Sequence, residues 1–334
     1  MEKDQDTILR ASELTGIIGR SEMDSLNKEH GDKWTRYREK YDQASNLEMS
    51  DFPIQIDFEL NASCNLRCPM CPISAESPKG KGVKTWFDFN FFKRIVAYAA
   101  KRGTRAIKLN YINEPFIRKD IFNFINYAAE QGILDIYLST NGVLMDERMR
   151  ENILSSKLTR IQVSIDAVSE NIYDKVRPGG DFIKVIENTK KLISERDRMK
   201  KKTPLVRVNF VRTEINEHEL NQFIADWEDK ADMVGIQEFI SPPNSSEKIT
   251  SKTSVNKFEN DFKCSFPFKQ LVITNEKKVL PCCTFWGEKL ELGEINEPED
   301  LDFFWNSERI NFIRDIHKKG HFYKIEQCKS CVGC

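Results

Sequence analysis

Between Pro53 and about Phe239 six short strand-forming runs alternate with five longer helical stretches. Strands in such a succession run parallel, because each helix carries the chain back to the edge of the sheet it left. The strands read as 54 to 60 (IQIDFEL), 106 to 110 (AIKLN), 134 to 139 (LDIYLS), 160 to 165 (RIQVSI), 204 to 211 (PLVRVNFV) and 233 to 239 (MVGIQEF). Helical patterns fill about 88 to 102, 118 to 131, 146 to 156, 181 to 199 and 216 to 229, with Gly132 closing the second.

A parallel strand buried on both faces reads as continuously apolar. Here one alternate phase is polar: Gln55, Asp57 and Glu59 on the first strand, then Lys108 and Asn110, Gln162 and Ser164, and Arg207 and Asn209. Ile54, Ile56, Phe58, Ile161, Val163, Ile165, Val206, Val208 and Phe210 make up the opposite phase and are expected to face the helices. An α/β fold follows, a partial (β/α)6 barrel over residues 53 to 240 with a polar, ligand-holding lumen. Residues 1 to 52 read as a helical extension whose Trp34, Tyr37 and Tyr41 form an aromatic stripe. That stripe either packs on the barrel or covers its mouth.

The nine cysteines fall into two groups: Cys64, Cys68 and Cys71, and six beyond residue 263. With no signal-peptide core and no apolar run long enough for a bilayer, a cytoplasmic protein is expected. In that compartment clustered cysteines point to metal rather than to disulfides. Lys plus Arg number 51 against 52 Asp plus Glu, which gives no general pull toward nucleic acid or membrane.

Cys64-Asn65-Leu66-Arg67-Cys68-Pro69-Met70-Cys71 leaves the C-terminal end of the first strand, where barrel enzymes gather their catalytic groups. Three such thiolates hold three irons of a four-iron cluster and leave the fourth iron open; structural zinc held by paired knuckles is the alternative. This CxxxCxxC motif in this position resembles the radical SAM (S-adenosylmethionine) superfamily over residues 53 to 240. The resemblance implies SAM on the open iron, reductive cleavage to a 5'-deoxyadenosyl radical, and hydrogen abstraction from substrate, with the first electron supplied by a flavodoxin or ferredoxin. It places Met70 beside the adenine. Tyr111-Ile112-Asn113-Glu114-Pro115 is similar to the family's Gly-Gly-Glu-Pro segment, which meets the SAM amino group, with Ile112 and Asn113 standing where the family has glycines. Ser139-Thr140-Asn141-Gly142 is similar to the ribose-contacting segment. Ser164, Asp166 and Arg177 are further candidates for SAM contacts.

Cys264, Cys282, Cys328 and Cys331 are spaced CX17C, X45, CX2C around a hairpin signal, QLVIT and VLP, and a helix at about 298 to 318. The frame resembles the SPASM or Twitch auxiliary domain, here 264 to 334 after a polar linker at 241 to 263. The resemblance implies a second four-iron cluster, fully ligated by these four cysteines and suited to carrying electrons. Cys283 and Cys334 are surplus, and either can replace one of the four. A zinc knuckle is the plainer alternative.

Likeness to aminocyclitol dehydrogenases and to enzymes of polysaccharide assembly implies a hydroxylated, sugar-like small-molecule substrate oxidised at a carbinol carbon. Arg207, Asn209 and Glu238 are candidates for substrate contact or proton removal, or else barrel ion pairs. Three other readings stand beside this one: an epimerase with Cys283 as hydrogen donor, a peptide-modifying enzyme, and a metal-stapled binding protein without catalysis.

Overall fold

The computed structural model describes residues 15–19, 26, 30–76, 86–240 and 262–332. The expected linker at 241–261, Cys334 and most of the first 29 residues lie outside them. Ten strands make one sheet, in the order β1-β7-β6-β5-β4-β3-β2-β8-β9-β10. They are β1 (Thr15–Gly19), β2 (Gln55–Phe58), β3 (Ala106–Lys108), β4 (Asp135–Thr140), β5 (Arg160–Ser164), β6 (Leu205–Arg212), β7 (Met233–Glu238), β8 (Gln270–Ile273), β9 (Lys278–Leu280) and β10 (Gly293–Glu294). Strands β2 to β7 are the six expected, all parallel to one another.

The two phases separate as expected. Ile56, Phe58, Ile161, Val163, Ile165, Val206, Val208 and Phe210 are fully buried in one core with Phe92, Ile95 and Val96 of the helix Phe89–Arg102. At roughly 1.5–3 kcal/mol per fully buried aliphatic or Phe side chain, this outer face is the main stabiliser of the barrel. The inner face is a hydrogen-bonded layer. Gln162 accepts from Ser139 Oγ at 3.0 Å and from Asn209 Nδ2 at 3.3 Å, and Gln55 Nε2 donates to Asp57 at 2.6 Å and to the Tyr137 hydroxyl at 2.8 Å.

Three expectations change. Residues 15 to 19, read as part of a helical extension, form β1, antiparallel to β7 with Ile17 opposite Gly235; backbone groups on the open edge of β7 outweigh local helix preference. The single helix expected at 298 to 318 is two, Asp300–Asn306 and Glu308–Lys318. Between them Ser307 is extended and its hydroxyl caps the Ile310 N–H, a role for which serine is strongly favoured. The hairpin is not a separate layer, since β8 runs parallel to β2 with Gln55 opposite Gln270 and Asp57 opposite Val272.

The aromatic stripe lies on the helix Asp32–Ser45 and packs, rather than covering the mouth. Trp34 and Tyr37 are buried among Ile54, Ala106, Leu134, Leu205 and Met233, at the N-terminal ends of the strands. Tyr37 donates its hydroxyl proton to Asp135 at 2.9 Å.

Burial pushes the Asp57 carboxyl up from 3.8 to about 6, against the pull of the Lys108 charge and the Gln55 hydrogen bond. The native state therefore keeps this proton longer than the unfolded chain, so stability falls as pH rises between those two values and is flat above them. Asp57→Asn removes the penalty. In urea unfolding the variant should gain on wild type across that window, by up to about 3 kcal/mol; parallel pH profiles would show that Asp57 titrates normally.

Candidate functional site

The loop after β2 carries the first three cysteines and is held by its neighbours at the same end of the sheet. Asn61 Oδ1 accepts from the Ser63 N–H at 2.9 Å, and the Ser63 carbonyl accepts from the Glu114 N–H at 2.8 Å. The carboxylate of Glu114, fully enclosed, then accepts from Thr140 Oγ1 at 2.7 Å, from the Asn141 N–H at 2.8 Å and from the Phe116 N–H at 3.2 Å. One residue, through its backbone N–H and its carboxylate, thus ties the ends of β2, β3 and β4 together. Burial raises its pKa to about 7, while the donors from Asn141, Thr140 and Phe116 oppose the rise.

Two donors point at cysteine sulfurs: Asn141 Nδ2 is 3.9 Å from Cys64 Sγ, and Arg177 Nη1 is 3.8 Å from Cys68 Sγ. Asn141 also donates to Asn65 at 2.8 Å. Arg177 is held by an ion pair with Asp166, whose other oxygen accepts from the Val211 N–H at 2.7 Å. Asp166 has φ 63°, a left-handed conformation uncommon outside glycine that Asp and Asn tolerate best. The Asp166 carboxylate, a candidate for contact with SAM, thus also orients Arg177 toward Cys68. Ser139 is bound into the luminal layer, whereas Ser164 closes β5 directly opposite Asn209. Met70 is buried in the core beside Cys68. Backbone at Ile112 and Asn113 stays out of the left-handed region, so the chain forms this loop without the family's glycines.

Burial pushes the Cys68 thiol up to about 12 and the Cys71 thiol up to about 11. Such groups ionise when a cation compensates the charge, which bound iron does. Asn113 Nδ2 is a buried donor without a hydrogen-bond partner among the described residues, as a site shaped for a polar ligand would leave it. The residues present fit a cluster and SAM.

In the auxiliary region Cys264, Cys282, Cys328 and Cys331 line one cavity of about 40 Å³, walled by Phe262, Pro267, Trp286, Leu290, Ile313 and His317. Cys331 is pushed up to about 12 by burial. A Cβ on Gly287 would stand 2.6 Å from the Cys282 carbonyl and 3.1 Å from its Sγ, so only glycine lets this turn approach the sulfur so closely. Among the described residues no three His, Cys, Asp or Glu side chains group closely enough to share one metal ion; a four-iron cluster asks instead that each cysteine meet its own iron.

Cys283 lies outside that cavity, packed against Tyr111, Val272 and Leu280 on the barrel side. Burial, with Asp57 nearby, pushes its thiol up to about 12. Tyr111 bridges the regions by donating its hydroxyl proton to the Thr284 carbonyl at 2.7 Å. Of the other candidates, Arg207 lies flat over Gly235, where a Cβ would come within 2.2 Å of its Nε. Asn209 sits in the luminal layer. Glu238 is ion-paired with Arg212, which favours the barrel role for it. Sequence reasoning missed Gln270, Gly287 and His317, and the bridge that Tyr111 makes to the Thr284 carbonyl. Gln270 continues the polar phase of β2 onto β8; the others lack a signal readable from one chain.

A further cavity of about 230 Å³ opens between the two regions, with Ala62, Pro72 and Ile73 of the first cysteine loop on one side and Leu280 and Phe285 of the hairpin on the other. Among the described residues its charged lining groups are Glu59, Glu276, Glu288 and Glu291 with Lys278 and Lys289, an acidic excess. No helix among the described residues is long and apolar enough to cross a membrane.

Residues 59–207 match the family model described as the radical SAM superfamily, and residues 264–332 match SPASM, an iron-sulfur cluster-binding domain. The chain is 30% identical over 258 residues to a Methanocaldococcus jannaschii protein named probable GTP 3',8-cyclase, covering 77% of this chain and 80% of that one. In structure it is similar to Streptococcus suis SuiB bound to S-adenosylmethionine, with a TM-score of 0.62 and 18% identity over 90% of this chain and 77% of that one. It is likewise similar to BtrN in complex with AdoMet and 2-DOIA, with a TM-score of 0.53 and 17% identity over 85% of this chain and 94% of that one. At such identities the likeness is one of fold.

Glu114→Ala would leave three buried donors unsatisfied and should cost roughly 3 kcal/mol in denaturant unfolding, with weaker SAM binding by calorimetry. Glu114→Gln should fall between, because its amide would face the Asn141 N–H. An alanine chain as stable as wild type would mean that the three strand ends are held by other contacts.

Proposed function

Because this chain belongs to the radical SAM superfamily, in the branch that carries a SPASM or Twitch auxiliary domain, and so takes SAM and two iron-sulfur clusters, we propose that it oxidises a hydroxylated, sugar-like small molecule at a carbinol carbon. The observation that carries this reading is the cavity walled on one side by the loop of Cys64, Cys68 and Cys71 and on the other by the hairpin of Cys282. A molecule lodged there lies between the two centres. The acidic excess among its described lining residues suits hydroxyl and amino groups better than the phosphates of a nucleoside triphosphate. That distinguishes the proposed substrate from the GTP in the name of the Methanocaldococcus jannaschii relative.

On this reading Cys64, Cys68 and Cys71 hold the first cluster, with Asn141 and Arg177 offering hydrogen bonds to its sulfur ligands. Asn113 and Ser164 reach toward SAM, while Glu114 and Asp166 position the loops and Arg177. Cys264, Cys282, Cys328 and Cys331 hold the second cluster. When bound, these groups supply a 5'-deoxyadenosyl radical and an electron acceptor. Oxidation at the carbinol carbon would remove one hydrogen atom, one proton and one electron and leave a carbonyl, and the second cluster, held by Cys264, Cys282, Cys328 and Cys331, would offer the acceptor for that electron. Cys283 supports a second reading, epimerisation. Burial keeps its thiol protonated, and a neutral S–H on the barrel side can return a hydrogen atom to the opposite face of the substrate carbon.

Anaerobic reconstitution should give about eight irons per chain and about four in Cys68→Ala or Cys282→Ala. The reduced enzyme should then transfer deuterium from the carbinol carbon of an aminocyclitol to 5'-deoxyadenosine and release a ketone. Solvent deuterium at an inverted carbon, abolished by Cys283→Ala, would establish epimerisation instead. Turnover of GTP alone would overturn both readings.

A further inference from the structure

His317 sits between two of the cysteines assigned above to the auxiliary cluster. Its ring is almost wholly enclosed, 1% exposed, and packed edge-on against Phe262 with centroids 6.3 Å apart. Nδ1 receives the backbone N–H of Cys264 at 3.2 Å, while Nε2 lies 3.4 Å from Cys328 Sγ. A backbone amide only donates, so Nδ1 must carry a lone pair, and the ring proton is therefore on Nε2. That proton points at sulfur. Among the described residues no acid lines its cavity, whose walls include Phe262, Pro267, Leu290 and Ile313, with Thr284 and Gln327 as polar members.

We propose that His317 is a positioning residue that sets the redox poise of the auxiliary cluster, donating one Nε2–H hydrogen bond to Cys328 Sγ in a tautomer locked by the Cys264 amide. Given the four-cysteine assignment, on which this inference rests, the consequence is electrostatic. Reduction adds negative charge that spreads onto the ligand sulfurs, and a donor held against one of them stabilises the reduced state. The surrounding apolar walls strengthen the effect, since little water competes for the sulfur. A cluster made easier to reduce in this way is a better acceptor for the electron the substrate radical must lose.

The test uses the full chain carrying Cys68→Ala, so that only the auxiliary cluster remains, and follows its midpoint potential by anaerobic titration with paramagnetic resonance. His317→Leu should lower the potential while about four irons per chain are retained, and His317→Gln, which keeps a donor and an acceptor, should recover part of the loss. Equal potentials in all three chains at equal iron content would overturn the proposal. Loss of iron from the Cys68→Ala chain itself would instead overturn the cysteine assignment and this inference with it. Should the leucine chain fail to hold iron, labelling with ¹⁵N-histidine decides: nitrogen coupling to the reduced cluster, lost in His317→Gln, supports the bond, and its absence overturns it.

Discussion

Strand β2 is hydrogen-bonded on both sides, to β3 of the barrel and to β8 of the auxiliary hairpin, and everything else about the molecule is arranged around that double pairing. Its C-terminal end launches the loop of Cys64, Cys68 and Cys71. Its other partner strand begins the hairpin that leads to Cys282. A parallel ladder admits little sliding, because a one-residue slip would turn Gln55 and Asp57 out of the lumen and Ile56 and Phe58 into it. The distance between the two cysteine groups is thus set by a sheet rather than by a flexible joint.

The polar side chains of this region behave as one unit. Gln55, Gln270 and Tyr137 meet around Asp57, and residues from three different strands would have to move for any of them to repack. Buried networks of this type cost stability when half-satisfied and confer a single arrangement when complete. Two unsatisfied atoms among the described residues, Asn113 Nδ2 and Asn209 Oδ1, lie on the loop after β3 and on β6, where a bound molecule can complete the set.

Much of this was legible beforehand, and for a physical reason. Alternation in β2, β5 and β6 reports directly which face meets helices, and a cysteine triplet after a strand reports where metal goes. What stayed hidden depends on contacts between distant segments. Nothing local in Gln270-Leu271-Val272-Ile273 says that it will lie beside β2. The strand at Thr15–Gly19 exists because β7 offers an edge, and His317 gains a role only when the helix Glu308–Lys318 brings it between Cys264 and Cys328. Asp166 was recognised as belonging to the site, but its turn toward Arg177 follows from a left-handed backbone that the residue letter only permits.

The helix Asp32–Ser45 covers the strand ends opposite the cysteine loop, with Trp34 and Tyr37 pressed against the starts of β3, β4, β6 and β7. The lumen is consequently a cup with a closed floor. Traffic through it obeys the rule of a stack: whatever settles deepest arrives first and departs last.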